Sequence, residues 1–217
     1  IYTEASWFAS LGYAKVFWKV LGFKALSFFM FGGCVFLFLW ANLRVAGGRR
    51  LWPLAALLGI LMGAVAVSSW ERVLMWAYSV PFGCKDPIFG RDLGFYIFSL
   101  PFYRLLYRIG LWTTFLAVAS VGSFYLMGRG IWVGPSGPRL SPKASKHLSF
   151  LLGTFFLLLA VVYALRPYFL LYSERGVAFG AGYADLHGTL PGYRFLFVLC
   201  LAGALRAIWN VRRPGWR

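Results

Sequence analysis

Leu148-Ser149-Phe150-Leu151-Leu152-Gly153-Thr154-Phe155-Phe156-Leu157-Leu158-Leu159-Ala160-Val161-Val162-Tyr163-Ala164-Leu165 decides the fold. This run holds no charged residue, and as a helix rising 1.5 Å per residue it reaches about 27 Å, close to the roughly 30 Å hydrocarbon core of a bilayer. A strand with open edges would leave its amides unsatisfied in lipid, so the run is helical. Four more stretches read the same way: Ala25 to Leu43, Leu51 to Trp70, Leu105 to Met127 and Phe195 to Val211. The composition of the whole chain agrees. Its 217 residues are 60% hydrophobic and 13% charged, with mean hydropathy +0.70, whereas soluble domains carry about 25% charged residues. A soluble globular domain and a disordered chain are both excluded. The expected fold is all-α: a polytopic transmembrane bundle of about five membrane-spanning helices.

Ahead of the first span, Trp7, Phe8, Leu11, Ala14, Trp18 and Leu21 recur at helical spacing, with Lys15 and Lys19 on another face. Residues 1–24 therefore read as an amphipathic helix lying at the interface. Residues 25–217 form the membrane domain, with long connecting loops at 71–104 and 166–194.

The net charge of +16 would suggest nucleic acid in a soluble protein. Here the basic residues occupy short segments between spans, so nucleic acid is set aside and the expected surroundings are the lipid bilayer and other membrane protein subunits. Arg44, Arg49, Arg50, Arg129, Arg139, Lys143, Lys146, Arg206, Arg212, Arg213 and Arg217 lie in segments free of acidic residues. All six acidic residues, Glu4, Glu71, Asp86, Asp92, Glu174 and Asp185, fall in the alternate segments, which balance to +5 against +11. The positive-inside rule makes the first set cytoplasmic and the acidic set extracytoplasmic. Ile1 then lies outside, as expected of a chain preceded by a further membrane helix. Cys34, Cys84 and Cys200 have no metal-type spacing, and neither a disulfide nor zinc is expected.

The chain also echoes itself at an offset of 90: Phe89-Gly90 falls on Phe179-Gly180, Ser99-Leu100-Pro101 on Thr189-Leu190-Pro191, and Tyr103-Arg104 on Tyr193-Arg194. Either two inward-to-outward helix, loop and returning-helix units are duplicated, or a chain rich in Phe, Gly and Leu matches itself by chance. In both cases Ser99 and Thr189 are expected to cap returning helices, with Pro in the first turn.

The candidate chemistry is sparse. Asp86, Asp92 and Asp185, with Glu174 and His187 near them, offer oxygens and a nitrogen to a cation, or else build turns that order the loops. His147 and His187 fall on opposite sides of the membrane, which excludes a bis-histidine haem. Either could ligate a chlorophyll-type pigment, although ten Trp, twelve Tyr and 22 Phe are equally read as interface belts and packing. Arg104, Arg108 and Arg194 stand where lipid headgroups or outer carboxylates would be reached. Gly59 and Gly63 form a small-xxx-small face for close helix approach. No nucleophile elbow, phosphate-binding glycine loop or dinucleotide motif occurs, and no Asp or Glu lies inside a span, which counts against an ion-coupled transporter.

Two loop segments carry a resemblance. Asp86-Pro87-Ile88-Phe89-Gly90-Arg91-Asp92-Leu93-Gly94-Phe95-Tyr96-Ile97-Phe98-Ser99-Leu100-Pro101-Phe102-Tyr103-Arg104 resembles the signature of uncharacterised protein family 0182, a group of prokaryotic membrane proteins. Leu171-Tyr172-Ser173-Glu174-Arg175-Gly176-Val177-Ala178-Phe179-Gly180-Ala181-Gly182-Tyr183-Ala184-Asp185-Leu186-His187 is similar to the same family, as is the stretch from Trp7-Phe8 through Gly12-Tyr13 to Phe17-Trp18. The resemblance implies a multi-pass protein of the prokaryotic plasma membrane, with about seven helices and a large extracytoplasmic region; against that pattern, the first helix, the last helix and the outer domain are expected to lie outside residues 1–217. It implies no biochemical activity. The expectation is a non-enzymatic scaffold or accessory subunit of a larger membrane complex, with or without pigment; the alternative is a transporter or lipid-handling protein.

Overall fold

A computed structural model describes residues 2–128, 130–134, 137–173 and 180–212. Seven helices dominate: α1 (Tyr2–Ser10), α2 (Ala14–Ala46), α3 (Trp52–Val67), α4 (Trp70–Ala77), α5 (Leu100–Met127), α6 (Pro142–Leu165) and α7 (Leu190–Arg212). Two short antiparallel strands, β1 (Ile131–Gly134) and β2 (Gly137–Leu140), join α5 to α6. The fold is all-α apart from this hairpin. With their flanking turns, five helices are long and apolar enough to cross a membrane: Ala14–Ala46, Arg49–Val67, Phe95–Met127, Pro142–Tyr172 and Asp185–Arg212.

Several helices begin earlier than their apolar runs. The stretch 1–24 is not one interfacial helix. Gly12 adopts φ +79, the Gly12 amide donates to Ala9 O and the Tyr13 amide to Phe8 O, and this left-handed turn ends α1. Helix α2 then runs unbroken for 33 residues, so Lys15, Lys19 and Lys24 belong to the first turns of a spanning helix. The ammonium groups of Lys19 and Lys24 lie over the Tyr78 and Trp70 rings at 3.8 and 5.6 Å, which explains how polar side chains are held there. Part of the expected loop 71–104 is helix α4, whose Trp76 stacks on Phe102 of α5 at 4.3 Å.

Ser99 does not cap α5. It has helical dihedrals and no capping hydrogen bond, because Phe95–Ser99 forms a π-helical turn continuous with α5. Thr189 likewise sits inside a π turn, Asp185–Thr189, where its hydroxyl donates to Asp185 Oδ1 at 3.4 Å. A wider turn ahead of Pro101 and Pro191 accommodates rings that could not join a regular ladder. The two π turns are themselves 90 residues apart, as are Gly90 and Gly180, both with positive φ. The echo thus extends to backbone geometry. It does not extend to packing, since α7 lies against α6, whereas α3 lies against α2 and α5 bridges α2 and α6.

Where α2 crosses α3, a Cβ on Gly59 would lie 2.9 Å from Gly32 O and Phe36 Cβ, and one on Gly63 would lie 3.0 Å from Phe28 O. Gly59 and Gly63 with Gly32 therefore set the separation of these two backbones. One core cluster, Val35, Leu39, Leu43, Ala55, Ala117, Val121, Tyr125, Ala144 and Leu151, fills the half of the bundle nearer the β-hairpin. A second, Phe31, Ala66, Val73, Phe102 and Leu105, fills the opposite half beneath α4. The first half is the hairpin end of the bundle and the second its loop end. Phe29, Leu37, Ile60, Val65, Phe115 and Leu205 point outward, an apolar belt suited to lipid.

Candidate functional site at the loop end

The connection from α4 to the first π turn is organised by two carboxylates. Asp86 Oδ1 accepts from the amides of Ile88 and Phe89 at 3.0 and 2.6 Å, and its Oδ2 from the Arg91 amide and the Tyr96 hydroxyl, both at 2.8 Å. Both oxygens are saturated by the loop itself, and the residue is 6% exposed. Burial alone would push this carboxyl up; the bonds from Phe89, Tyr96, Arg91 and Ile88 outweigh it and hold the carboxyl below its usual value. Asp92 accepts from the amides of Phe82, Gly83 and Gly94 at 3.0, 2.8 and 2.7 Å. The Phe82 bond, against an opposing burial effect and helped by Gly94, Gly83 and the Lys85 charge, likewise lowers its pKa.

The loop is clamped to the far end of α6. Tyr172, in the 3-10 turn Arg166–Tyr172, donates its hydroxyl to Tyr96 O at 2.7 Å. Tyr168 packs edge-on to Phe89 and Phe95, both at 5.1 Å, and the Arg91 guanidinium lies over the Phe95 and Tyr168 rings at 5.5 and 5.9 Å. None of these partners of Asp86 carries a spacing signal in the sequence; only the Asp-Pro and Phe-Gly turn residues announce the loop.

Asp185 stands apart from this knot. It accepts from the Gly182 amide at 3.2 Å and the Thr189 hydroxyl, and lines a pocket with Arg166, Phe169, Leu170, Tyr172, Ser173 and Tyr193. His187 is exposed, stacks on Tyr183 at 4.0 Å, and places Nδ1 3.0 Å from Tyr183 O. Glu174 lies outside the described residues. Among the described residues, no three His, Cys, Asp or Glu converge as a metal site, so Asp86, Asp92, Asp185 and His187 are not brought together. Arg104 and Arg108 share a pocket with Arg72 of α4, while Arg194 does not line it.

His147 lies at the hairpin end inside the bundle. Asn42 Nδ2 donates to Phe38 O at 2.7 Å, which turns Oδ1 toward His147 Nε2 at 3.0 Å. That orientation assigns the proton to Nε2 and leaves Nδ1 to accept from the Tyr125 hydroxyl at 3.1 Å. Asn42, Tyr125 and His147 are 8%, 5% and 8% exposed, so three helices are tied by one buried polar chain. A pigment metal at His147 would have to displace one of these two partners. A second buried bond, Asn210 Nδ2 to Ser149 Oγ at 2.6 Å, ties α7 to α6.

A bundle with five apolar helices of spanning length, an apolar exterior and an ordered loop end is an integral membrane protein. The profile of the uncharacterised protein family UPF0182 matches residues 1–217, and the chain belongs to that family. It is 37% identical over 226 residues to a UPF0182 protein of Synechococcus sp. (strain JA-3-3Ab), covering all of this chain and 26% of the relative. It is 34% identical over 242 residues to one of Thermobifida fusca (strain YX), covering 97% of this chain and 23% of the relative. A relative from Cupriavidus necator is 36% identical over 238 residues, covering 97% and 26%. The chain thus spans about a quarter of the length of the curated relatives it matches. No solved structure matches it.

Proposed function

We propose that this chain is a non-enzymatic scaffold or accessory subunit of a larger membrane complex, lying in the prokaryotic plasma membrane with its loop end extracytoplasmic. The observation that carries the reading is the Asp86 knot: a carboxylate with both oxygens spent on its own loop, locked to Tyr96 and through Tyr96 to Tyr172. Such a group serves shape rather than reaction. A fixed, aromatic-rich loop end is the kind of surface on which another polypeptide registers.

The test is the mass and subunit content of the particle extracted from native membranes in mild detergent, with its visible absorption recorded on the same sample. The reading predicts a stoichiometric assembly with at least one other polypeptide; bound pigment would identify that assembly as pigment-bearing. A lone protomer or homo-oligomer refutes it. That outcome would favour the transporter or lipid-handling reading, which is supported by an apolar cleft of about 840 Å³ running between α2, α4, α5 and α6 past Met30, Trp76, Leu106 and Leu158.

A further inference from the structure

We propose that Arg72, Arg104 and Arg108 form a binding site for a phosphate ester at the loop end of the bundle. The three line one open pocket of about 400 Å³ with Pro101, Phe169 and Tyr172. Arg104 and Arg108 are one helical turn apart on the same face of α5. Arg72 reaches them from α4, which is held against α5 by the Trp76–Phe102 stack and by Val73, Phe102 and Leu105 in the core. The far wall comes from the 3-10 turn after α6: the Arg104 guanidinium lies 5.4 Å from the Phe169 ring, and Tyr172 is fixed by its bond to Tyr96 O.

Among the described residues no carboxylate makes an ion pair with any of the three arginines, and the only hydrogen bond found for them is Arg72 Nη1 to Ser69 Oγ at 3.4 Å. Three guanidinium groups lining one pocket, with no carboxylate paired to them among the described residues, repel one another, and an anion relieves that repulsion. Phosphate suits the arrangement better than a carboxylate, because its oxygens can engage several guanidinium forks at once, whereas a carboxylate is matched by one. The aromatic wall and the pocket volume leave room for the organic part of an ester. Depth points the same way. Arg108 and Arg104 are 19 and 23 residues from the hairpin end of α5 at Met127, or about 29 and 35 Å at 1.5 Å per residue, which is headgroup level across a hydrocarbon core of about 30 Å. The ester is therefore a lipid headgroup or a soluble phosphoester arriving from that side. This site stands whether or not the chain is a subunit of a complex.

The test uses the full-length protein, stripped of lipid in a phosphate-free detergent, titrated calorimetrically with dihexanoylphosphatidylglycerol, glycerol 3-phosphate and inorganic phosphate, with dihexanoylglycerol as the phosphate-free control. Binding of the phosphatidylglycerol alone assigns the site to headgroups; equal binding of glycerol 3-phosphate assigns it to soluble esters. Either way, R72Q, R104Q and R108Q should each weaken binding by about tenfold, R104K should weaken it less than R104Q, and R194Q, outside the pocket, should leave it unchanged. All three arginines are exposed, so each variant should elute as the wild type does. The proposal is overturned if no phosphate probe binds more tightly than dihexanoylglycerol, or if the R104Q/R108Q double variant binds as the wild type does.

Discussion

Asp86→Asn should open the loop between α4 and α5. In the native protein four donors converge on the carboxylate, two on each oxygen. An amide can present one oxygen; turned toward Ile88 N–H and Phe89 N–H, it places its NH2 group on the Tyr96 hydroxyl, which can accept, and against the Arg91 N–H, which loses its acceptor. An orphaned buried donor costs about 1 to 3 kcal/mol. The loop lies at the surface, so the lower half of that range applies, and one lost donor amounts to roughly 1 to 2 kcal/mol. Lys85 and Arg91 provide tryptic sites within the knot, and cleavage of transiently opened segments follows the open population when reclosing is fast. At tenfold per 1.4 kcal/mol, trypsin should cut the variant at Lys85 or Arg91 roughly 5- to 30-fold faster than the wild type in detergent. Tyr96→Phe, which removes one of the four bonds, should give an intermediate rate. Cleavage of Asp86→Asn within threefold of the wild-type rate would refute the argument that the carboxylate organises the loop.

Gly59→Leu would force side-chain atoms against Gly32 O and Phe36, where even a Cβ comes within 2.9 Å; we expect a loss of at least about 1 to 3 kcal/mol, seen as a lowered thermal midpoint, whereas Gly33→Ala, with nothing within 4 Å, should be neutral or slightly stabilising. Tyr125→Phe leaves His147 Nδ1 buried without a donor and should cost about 1 to 3 kcal/mol; a thermal midpoint equal to the wild type would contradict the buried chain. The carboxyls of Asp86 and Asp92 are held below the unfolded value of about 3.9, so their contribution is complete above that value and is lost as pH falls through the lower folded values. Near-UV circular dichroism of the loop aromatics should be flat from neutral pH down to about 5 and change only on further acidification; a transition near pH 6 would contradict the assignment.

The membrane architecture is legible because lipid demands long apolar runs, and the ends of the helices at Leu43, Met127, Leu165 and Val211 were read within three residues of the structure. Their beginnings were not. Lys15 to Lys24, Leu100 to Arg104 and Pro142 to His147 are helical but interrupted by Lys, Arg, Pro or His, and hydropathy cannot distinguish them from loop; packing and ring contacts hold them in helix. The π turns escaped for a related reason, since Leu-Pro reads as a helix start whether or not a wider turn precedes it. At the candidate site, Arg104 and Arg108 are legible at headgroup level, but Arg72 reaches them through α4, an eight-residue helix inside the stretch 71–104 that reads as loop. The buried chain at His147 is not legible in the sequence because its partners, Asn42 and Tyr125, lie 105 and 22 residues away.

The account depends most on the chain crossing the membrane with its loop end outside and its hairpin end inside, and the three cysteines test this. Cys84 is exposed in the Asp86 loop, Cys34 lies midway along α2, and Cys200 is buried in α7. With a membrane-impermeant maleimide applied to intact cells, the account predicts labelling of the wild type that Cys84→Ser abolishes. Labelling of Cys84 only after the cells are opened would contradict it.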